Sequence, residues 1–250
     1  MQRYFVESVD ITNGEAVITG DDVKHISRVM RYQIGDQVIC SDHMGNSYQC
    51  AISAIDTKQV DLRIVAEIVE SNEPMTKITL YQGLMKADKM EWVLQKGTEI
   101  GISAFVPVEM KFSVTKWEAD RRDKKLDRWR KIVKEAAEQS HRSIIPDVQS
   151  AISFQSLVKE RAGKHSLTVL AYEKSEHSQG ILALIRQYPD IRDVAIIIGP
   201  EGGVSEQERL LAIEHGVQLV NLGPRILRAE TAGLIAAAGV LFINQELGEL

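Results

Sequence analysis

From Arg3 to about Glu70 the hydrophobic positions come in short, β-branched runs: Ala16-Val17-Ile18, Gln37-Val38-Ile39-Cys40, residues 48–52 and residues 60–68. Asn13-Gly14, Gly35-Asp36 and Met44-Gly45-Asn46 punctuate them, and such residues tolerate the positive φ that tight turns need. The pattern predicts an all-β module with one short helix over residues 22–31. Ser71-Asn72-Glu73-Pro74 is polar and contains a proline, which marks a linker. The expected division is a first domain over 1–72 and a second over 73–250.

Beyond the linker the period changes. The strand Ile78-Thr79-Leu80-Tyr81 is followed by Asp88-Lys89-Met90-Glu91, which reads as an Asp-x-x-Glu capping box opening a helix to Ile100, stopped by Gly101. A strand over 104–108 completes a β-α-β unit. Helices follow over about 120–140 and 154–161, then a strand over 167–171, a loop over 173–179, a helix over 181–187 and a strand over 194–198. Ser205-Glu206-Gln207-Glu208 is a second capping box at a helix start. A strand over 218–222 and a helix over about 229–244 end the series. Alternating strands and helices predict an α/β fold built on a mainly parallel sheet.

A composition of 44% hydrophobic and 26% charged residues, with 6 Pro, excludes collagen-like and wholly disordered chains. The longest apolar runs, 234–243 and 194–198, fall short of the roughly 18 to 20 residues that cross a bilayer. Met1-Gln2-Arg3-Tyr4-Phe5-Val6-Glu7 has no apolar core of a signal peptide, so a cytoplasmic location is expected. Cys40 and Cys50 are too few for a disulfide scaffold and are expected in the core. With His43 they lack further spaced ligands, so no metal site is expected. Trp92, Trp117 and Trp129 lie in or beside helical patterns and are expected to pack.

The net charge of -5 argues against coating nucleic acid by bulk electrostatics. Its distribution changes that picture: residues 1–70 hold 6 Lys and Arg against 11 Asp and Glu, whereas residues 111–142 hold 11 against 6. The basic stretch reads either as a solvated helix face or as a patch that tracks phosphates.

In open α/β sheets ligands bind at the carboxyl ends of strands, and here those ends hold two unusual loops. Gly199-Pro200-Glu201-Gly202-Gly203 follows the strand over 194–198, and its three glycines permit close backbone approach to a ligand. It matches neither the P-loop nor the dinucleotide-binding spacing, and an ordinary strand-to-helix turn is the competing reading. Leu222-Gly223-Pro224-Arg225-Ile226-Leu227-Arg228-Ala229-Glu230-Thr231-Ala232 sets two Arg and a Glu among apolar residues. Arg228 and Glu230 either pair with each other or meet something bound. The small residues Ala232, Gly233, Ala236, Ala237, Ala238 and Gly239 give the final helix a smooth face suited to packing on another helix or subunit.

These loops, with Arg3-Tyr4-Phe5-Val6, His25-Ile26-Ser27-Arg28-Val29-Met30-Arg31, residues 82–91, residues 95–101 and Ala136-Ala137-Glu138-Gln139-Ser140-His141-Arg142, carry a resemblance over nearly the whole length. The chain resembles the RsmE family of 16S ribosomal RNA uridine N3-methyltransferases, within the SPOUT superfamily. The resemblance implies a PUA-like β-barrel that holds RNA, followed by a SPOUT-type α/β domain with a C-terminal trefoil knot, working as a homodimer. It implies S-adenosylmethionine as cofactor, held by Leu170, Tyr172, Ile198, Gly199, Pro200, Gly202, Gly203, Leu222, Ile226 and Leu227. The implied RNA partner, 16S rRNA within the small ribosomal subunit, would meet Arg3, Arg28, Arg31, Lys86, Lys89 and Arg142.

Uridine N3 carries a proton between two carbonyls and is a poor nucleophile until that proton leaves. Arg228, cationic at any working pH, is therefore the candidate to stabilise the uracil oxyanion, and Glu230 or Glu201 is the candidate to orient it or take the proton. A SPOUT ribose 2′-O-methyltransferase and a non-catalytic RNA-binding factor are the alternatives.

Overall fold

In the computed structural model, which describes residues 1–7, 10–117, 120, 122–173 and 178–248, the chain forms two compact units. One comprises Met1–Glu73 with Lys134–Ile145, the other Pro74–Val133 with Pro146–Leu250.

In the first unit the β-branched runs become β1 (Arg3–Phe5), β2 (Ile11–Thr12), β3 (Glu15–Thr19), β4 (Gln37–Ser41), β5 (Ser47–Ile55) and β6 (Gln59–Ile68). They form one sheet in the order β1-β4-β5-β6-β3-β2, antiparallel except where β1 runs parallel to β4. Asn13, Gly14, Gly35, His43 and Gly45 all take positive φ at the turns. Tyr4, Ile18, Val38, Cys40, Cys50, Ile52 and Leu62 fill the core, and both cysteines are free thiols. Helix α1 (Asp21–Lys24) continues over His25–Met30 in wider, π-type turns and ends at Arg31, whose φ of 55° is left-handed.

Two arginines expected at an RNA surface are internal. Arg3 is buried because its guanidinium donates to Ser41 Oγ at 2.6 Å and Ser47 Oγ at 2.7 Å. Arg142 is buried against Glu73 at 2.6 Å, and the same carboxylate accepts from the backbone N–H groups of Ser143 and Ile144. Neither presents its charge to a phosphate. The Lys134 ammonium likewise bridges Asp22 at 2.7 Å and Glu138 at 2.9 Å.

The second unit contains β7 (Lys77–Gly83), α2 (Ala87–Ile100), β8 (Ala104–Glu109), α3 (Arg122–Gln139, whose last turns belong to the first unit), β9 (Asp147–Val148) and β10 (Ile152–Ser153). There follow α4 (Phe154–Ser156), extended by wider turns over Leu157–Arg161, then β11 (Leu167–Ala171), β12 (Gln179–Gly180), α5 (Ile181–Ile185) and β13 (Asp193–Ile198). The series ends with α6 (Glu206–Glu214), β14 (Gln218–Asn221) and α7 (Ala229–Ile243). Of the loop expected over 173–179, residues 174–177 lie outside the described residues, as does Arg121 of the basic helix.

All recorded strand pairs in this sheet are parallel, in the order β10-β8-β7-β13-β11-β14-β12, with β9 beside β8. Burial on both faces explains the unbroken apolar run Val194 to Ile198. From β7 the chain passes outward to β8, β9 and β10 on one side, then crosses to β11 and the edge strand β12 before β13 returns to lie between β7 and β11, so the loops after β11, β13 and β14 leave the same rim, where ligands bind in such sheets.

Two expectations, at Asp88 and at Trp92, meet different local physics. Asp88 caps nothing: α2 starts earlier, with Lys86 at its N-cap and no side-chain cap, and Asp88 sits in the first turn, where its charge favours the helix dipole. Ser205 and Glu208 do form a reciprocal capping box on α6. Trp92 is 52% exposed, under the Lys96 ammonium, whereas Trp129 is buried and stacks on Trp117. The small face of α7 is consumed inside the chain, packing on α2 and the sheet, with Gly233 leaving room for Leu80 and Gln82. Among the described residues no helix is long and apolar enough to cross a membrane.

Removing one partner of a buried ion pair leaves the other charge uncompensated, at a cost of about 3–5 kcal/mol. Glu73→Gln therefore lowers unfolding free energy by about 3 kcal/mol, measured by urea denaturation, whereas the same change at exposed Glu67 leaves the midpoint essentially unmoved.

Candidate active site

The adjacent strands β13, β11 and β14 end on one rim of the sheet. After β13 the chain runs through Gly199–Gly203, after β11 through Tyr172 and Glu173, and after β14 through Leu222 to Arg228. With Lys89 from the first turn of α2, and Phe112 beyond β8, these loops enclose a cleft of about 470 Å³, a volume typical of small-molecule sites.

The glycines are dictated by contact. A Cβ on Gly202 would lie 2.6 Å from Phe112 Cβ, and one on Gly199 would lie 2.9 Å from Val204 Cγ2. Gly203 takes a φ of 77° and donates its N–H to the Pro200 carbonyl at 2.8 Å, closing a tight turn. Beneath it, a Cβ on Gly83 at the end of β7 would stand 2.7 Å from Pro200 Cδ. On the far wall the Tyr172 N–H donates to the Val220 carbonyl at 2.9 Å, and the Arg209 guanidinium lies over the Tyr172 ring. Ile226 is 81% exposed on the rim, an apolar side chain with no cover from the chain itself.

Charge concentrates at one end. The Lys89 ammonium is 3.3 Å from Glu201 Oε1 and 3.4 Å from Glu230 Oε2, while Arg228 Nη1 is 3.9 Å from Glu230 Oε1. Arg228 stands at the N-cap of α7, extended and 81% exposed in its side chain, and Glu230 sits within the first turn. Glu230 Oε2 is shielded from solvent and accepts no hydrogen bond, so Lys89 is the charge that compensates it there. Partial desolvation pulls the Lys89 pKa down, but Glu201 and then Glu230 outweigh it and hold the ammonium above its ordinary value.

Most sequence-derived candidates line this cleft: Arg228, Glu230 and Glu201 at the charged end, and Tyr172, Ile198, Gly199, Pro200, Gly202, Gly203, Leu222, Ile226 and Leu227 along the walls. Leu170 does not; it is fully buried in the core beneath. Lys89, expected at a phosphate, is held instead between two carboxylates. Arg28, Arg31 and Lys86 are exposed. Phe112 carried no sequence signal, whereas Lys89 carried one that was overlooked: it follows the end of β7 by six residues, on the ligand side of the sheet. Among the described residues no group of three or more His, Cys, Asp or Glu side chains is placed to hold a metal.

An all-parallel α/β sheet with a glycine-walled, charged cleft at the carboxyl ends of β11, β13 and β14, together with a mainly β unit, defines a two-unit enzyme architecture for a small-molecule ligand. Residues 71–241 match the family model described as an RNA methyltransferase domain, and residues 18–65 match that of an RNA methyltransferase PUA domain. The ribosomal RNA small subunit methyltransferase E of Bacillus subtilis (strain 168) is 39% identical over 99% of this chain and 98% of its own. The protein of that name from Mycobacterium tuberculosis is 31% identical over 95% of this chain and 91% of its own. Among solved structures, the Neisseria gonorrhoeae ribosomal RNA small subunit methyltransferase E bound to S-adenosyl methionine superposes with a TM-score of 0.84 at 28% identity, covering 97% of both chains. A putative methyltransferase from Legionella pneumophila in complex with the bound cofactor SAM gives 0.86 at 28% identity, covering 96% of both. The chain belongs to the ribosomal RNA small subunit methyltransferase E family of RNA methyltransferases.

A buried backbone-to-backbone approach has nowhere to put an added methyl group. Gly83→Ala is expected to cost about 1–3 kcal/mol of stability and to displace the loop over Gly199–Gly203, read by urea unfolding and by loss of amide protection in that loop under hydrogen exchange.

Proposed function

We propose that this chain transfers the methyl group of S-adenosylmethionine to N3 of one uridine in 16S ribosomal RNA of the small ribosomal subunit. The observation that carries the reading is the cleft at the ends of β11, β13 and β14, where Arg228 and two carboxylates stand at one end of a glycine-walled pocket. The fit of the cofactor rests on the same walls: backbone groups of Gly199–Gly203 and apolar Ile198, Leu222 and Leu227 suit a nucleoside with an amino-acid tail. Exposed Ile226 would be covered by that ligand.

S-adenosylmethionine, when bound, supplies an electrophilic methyl group on a sulfonium. The protein's task is to make uracil N3 nucleophilic and hold it in line. In this mechanism the Glu201/Glu230 pair takes the N3 proton, directly or through water, and the Arg228 guanidinium stabilises the charge that spreads onto the uracil carbonyls. The N3 lone pair then forms the N–CH3 bond as the C–S bond breaks. Uracil anion and sulfonium neutralise each other, giving 3-methyluridine and S-adenosylhomocysteine. The target base leaves its stack to reach the cleft.

The family resemblance extends the reading to architecture: a PUA-like barrel over 1–72, a SPOUT domain over 73–250 with a trefoil knot, and a homodimer acting in the cytoplasm, where ribosomes are. The insertion of β13 between β7 and β11, with both glycine-bearing loops at its edge, supports a threaded C-terminal part. Exposed Trp92, Ile235 and Phe242 offer apolar surface on α2 and α7 for a second subunit. Exposed Arg28 and Arg31, with Lys86, are the cations for phosphate contact.

Labelled S-adenosylmethionine incubated with unmethylated small subunits and with free 16S RNA, followed by nucleoside mass spectrometry, tests the reading. The expected product is 3-methyluridine, with kcat lowered about 100- to 1,000-fold in Arg228→Ala while cofactor binding survives. A ribose-methylated product overturns the N3 assignment in favour of a 2′-O-methyltransferase. Absence of both product and cofactor binding favours a non-catalytic RNA-binding factor.

A further inference from the structure

The contact that the proposed chemistry leaves unexplained is Lys89. A lysine in a segment rich in basic residues is a natural phosphate ligand, and its position here is different. It projects from the first turn of α2, and its ammonium lies within 3.4 Å of carboxylate oxygens from two other elements, the loop after β13 and the start of α7. Its side chain is 26% exposed, against 24% for Glu201 and 15% for Glu230. Such a lysine is an internal counter-ion with little of its charge left for a backbone phosphate.

Charged groups that share an ion pair at this range fix one another's orientation. We infer that Lys89 is a positioning residue for methyl transfer, whose ammonium bridges Glu201 and Glu230 and holds both carboxylates at the end of the cleft where the substrate proton must leave. The inference rests on the proposed function of this cleft and assigns Lys89 to the proton-accepting site instead of to RNA.

The other charges support this division of labour. Arg228 reaches only Glu230, at 3.9 Å, from a largely exposed position. Arg225 and Glu173 lie elsewhere on the cleft lining. On α2 itself, Asp88 is exposed in the first turn and Glu91 is engaged by Arg128 at 2.6 Å. Among the described residues Lys89 is thus the cation common to both carboxylates. The elevated affinity of Lys89 for its proton agrees with the geometry.

The test compares wild type with Lys89→Met, which keeps most of the unbranched side chain and removes the charge, and with Lys89→Arg. Methyl transfer to small subunits is followed against pH, and glutamate carboxylates are titrated by 13C NMR in the full-length protein. In Lys89→Met the acid limb of kcat/KM is expected to move up by about one pH unit or more, with kcat at neutral pH down at least about tenfold. RNA affinity and its salt dependence stay unchanged, and Lys89→Arg restores most of the limb. The NMR titration of Glu201 and Glu230 moves in the same direction in the apoprotein.

A fixed acid limb with weaker RNA binding and a salt slope reduced by about one would return Lys89 to phosphate contact and overturn the inference. Unmoved carboxylate titrations overturn it whether or not the enzyme turns over. A wild type that methylates nothing overturns the proposed function, and the NMR titration then still decides the role of Lys89. Unchanged melting temperatures and carboxylate titrations restored by Lys89→Arg separate the positioning role from general destabilisation.

Discussion

The site depends on one steric constraint: where β7 and β13 end side by side, backbone must pass over backbone with no side chain between. Gly83 makes that passage possible, since a Cβ there would press on Pro200 and the Gly199 carbonyl carbon. Gly202 does the same against Phe112. With these positions bare, the loop after β13 folds back over its own strand end, Gly203 closes on Pro200, and Glu201 turns toward α2. A side chain at Gly83 or Gly202 would lift the loop and open the cleft from one side. Glycine is ordinarily costly for its lost entropy, so its use here marks a place where close approach outweighs flexibility.

The parallel sheet supplies the second requirement, convergence. Parallel strands all deliver their carboxyl ends to the same rim, and the order β7-β13-β11-β14 brings three loops from distant parts of the sequence together. Helix α2 begins on that rim for the same reason, because it follows β7 directly. Lys89 is therefore near Glu201 and Glu230 by topology, although more than a hundred residues separate it from either. Neither the helix propensity nor the charge pattern of α2 contains this information.

That contrast explains what was legible. Hydrophobic period and turn chemistry fixed the element sequence closely, because alternation, β-branching and glycine stops are local properties. The Ser205 capping box was readable because both partners lie within one turn, and Gly101 because its φ of 118° demands glycine. The same local logic misled at Asp88, where a matching spacing fell one residue inside a helix already begun at Ala87. The two glycine-bearing loops were legible as a site, since strand ends in α/β sheets bind ligands whatever the chemistry. Long-range pairing was not: nothing in the neighbourhood of Arg3 or Arg142 announces Ser41, Ser47 or Glu73 as partners.

Those buried pairs also revise how the charge of the chain should be read. Counting basic residues treats every Arg and Lys as available to a polyanion, yet Arg3, Lys89, Lys134 and Arg142 are each held by hydroxyls or carboxylates of the protein itself. Arg128 is held by Glu91, and Lys125 stands over the Trp117 and Trp129 rings. Other cations stay exposed, among them Arg28 and Arg31 on the wide turns after α1, beside exposed Val29 and Met30, and Arg122, Lys124, Arg130 and Lys131 on α3, so a formal count overstates the charge a polyanion meets without abolishing it.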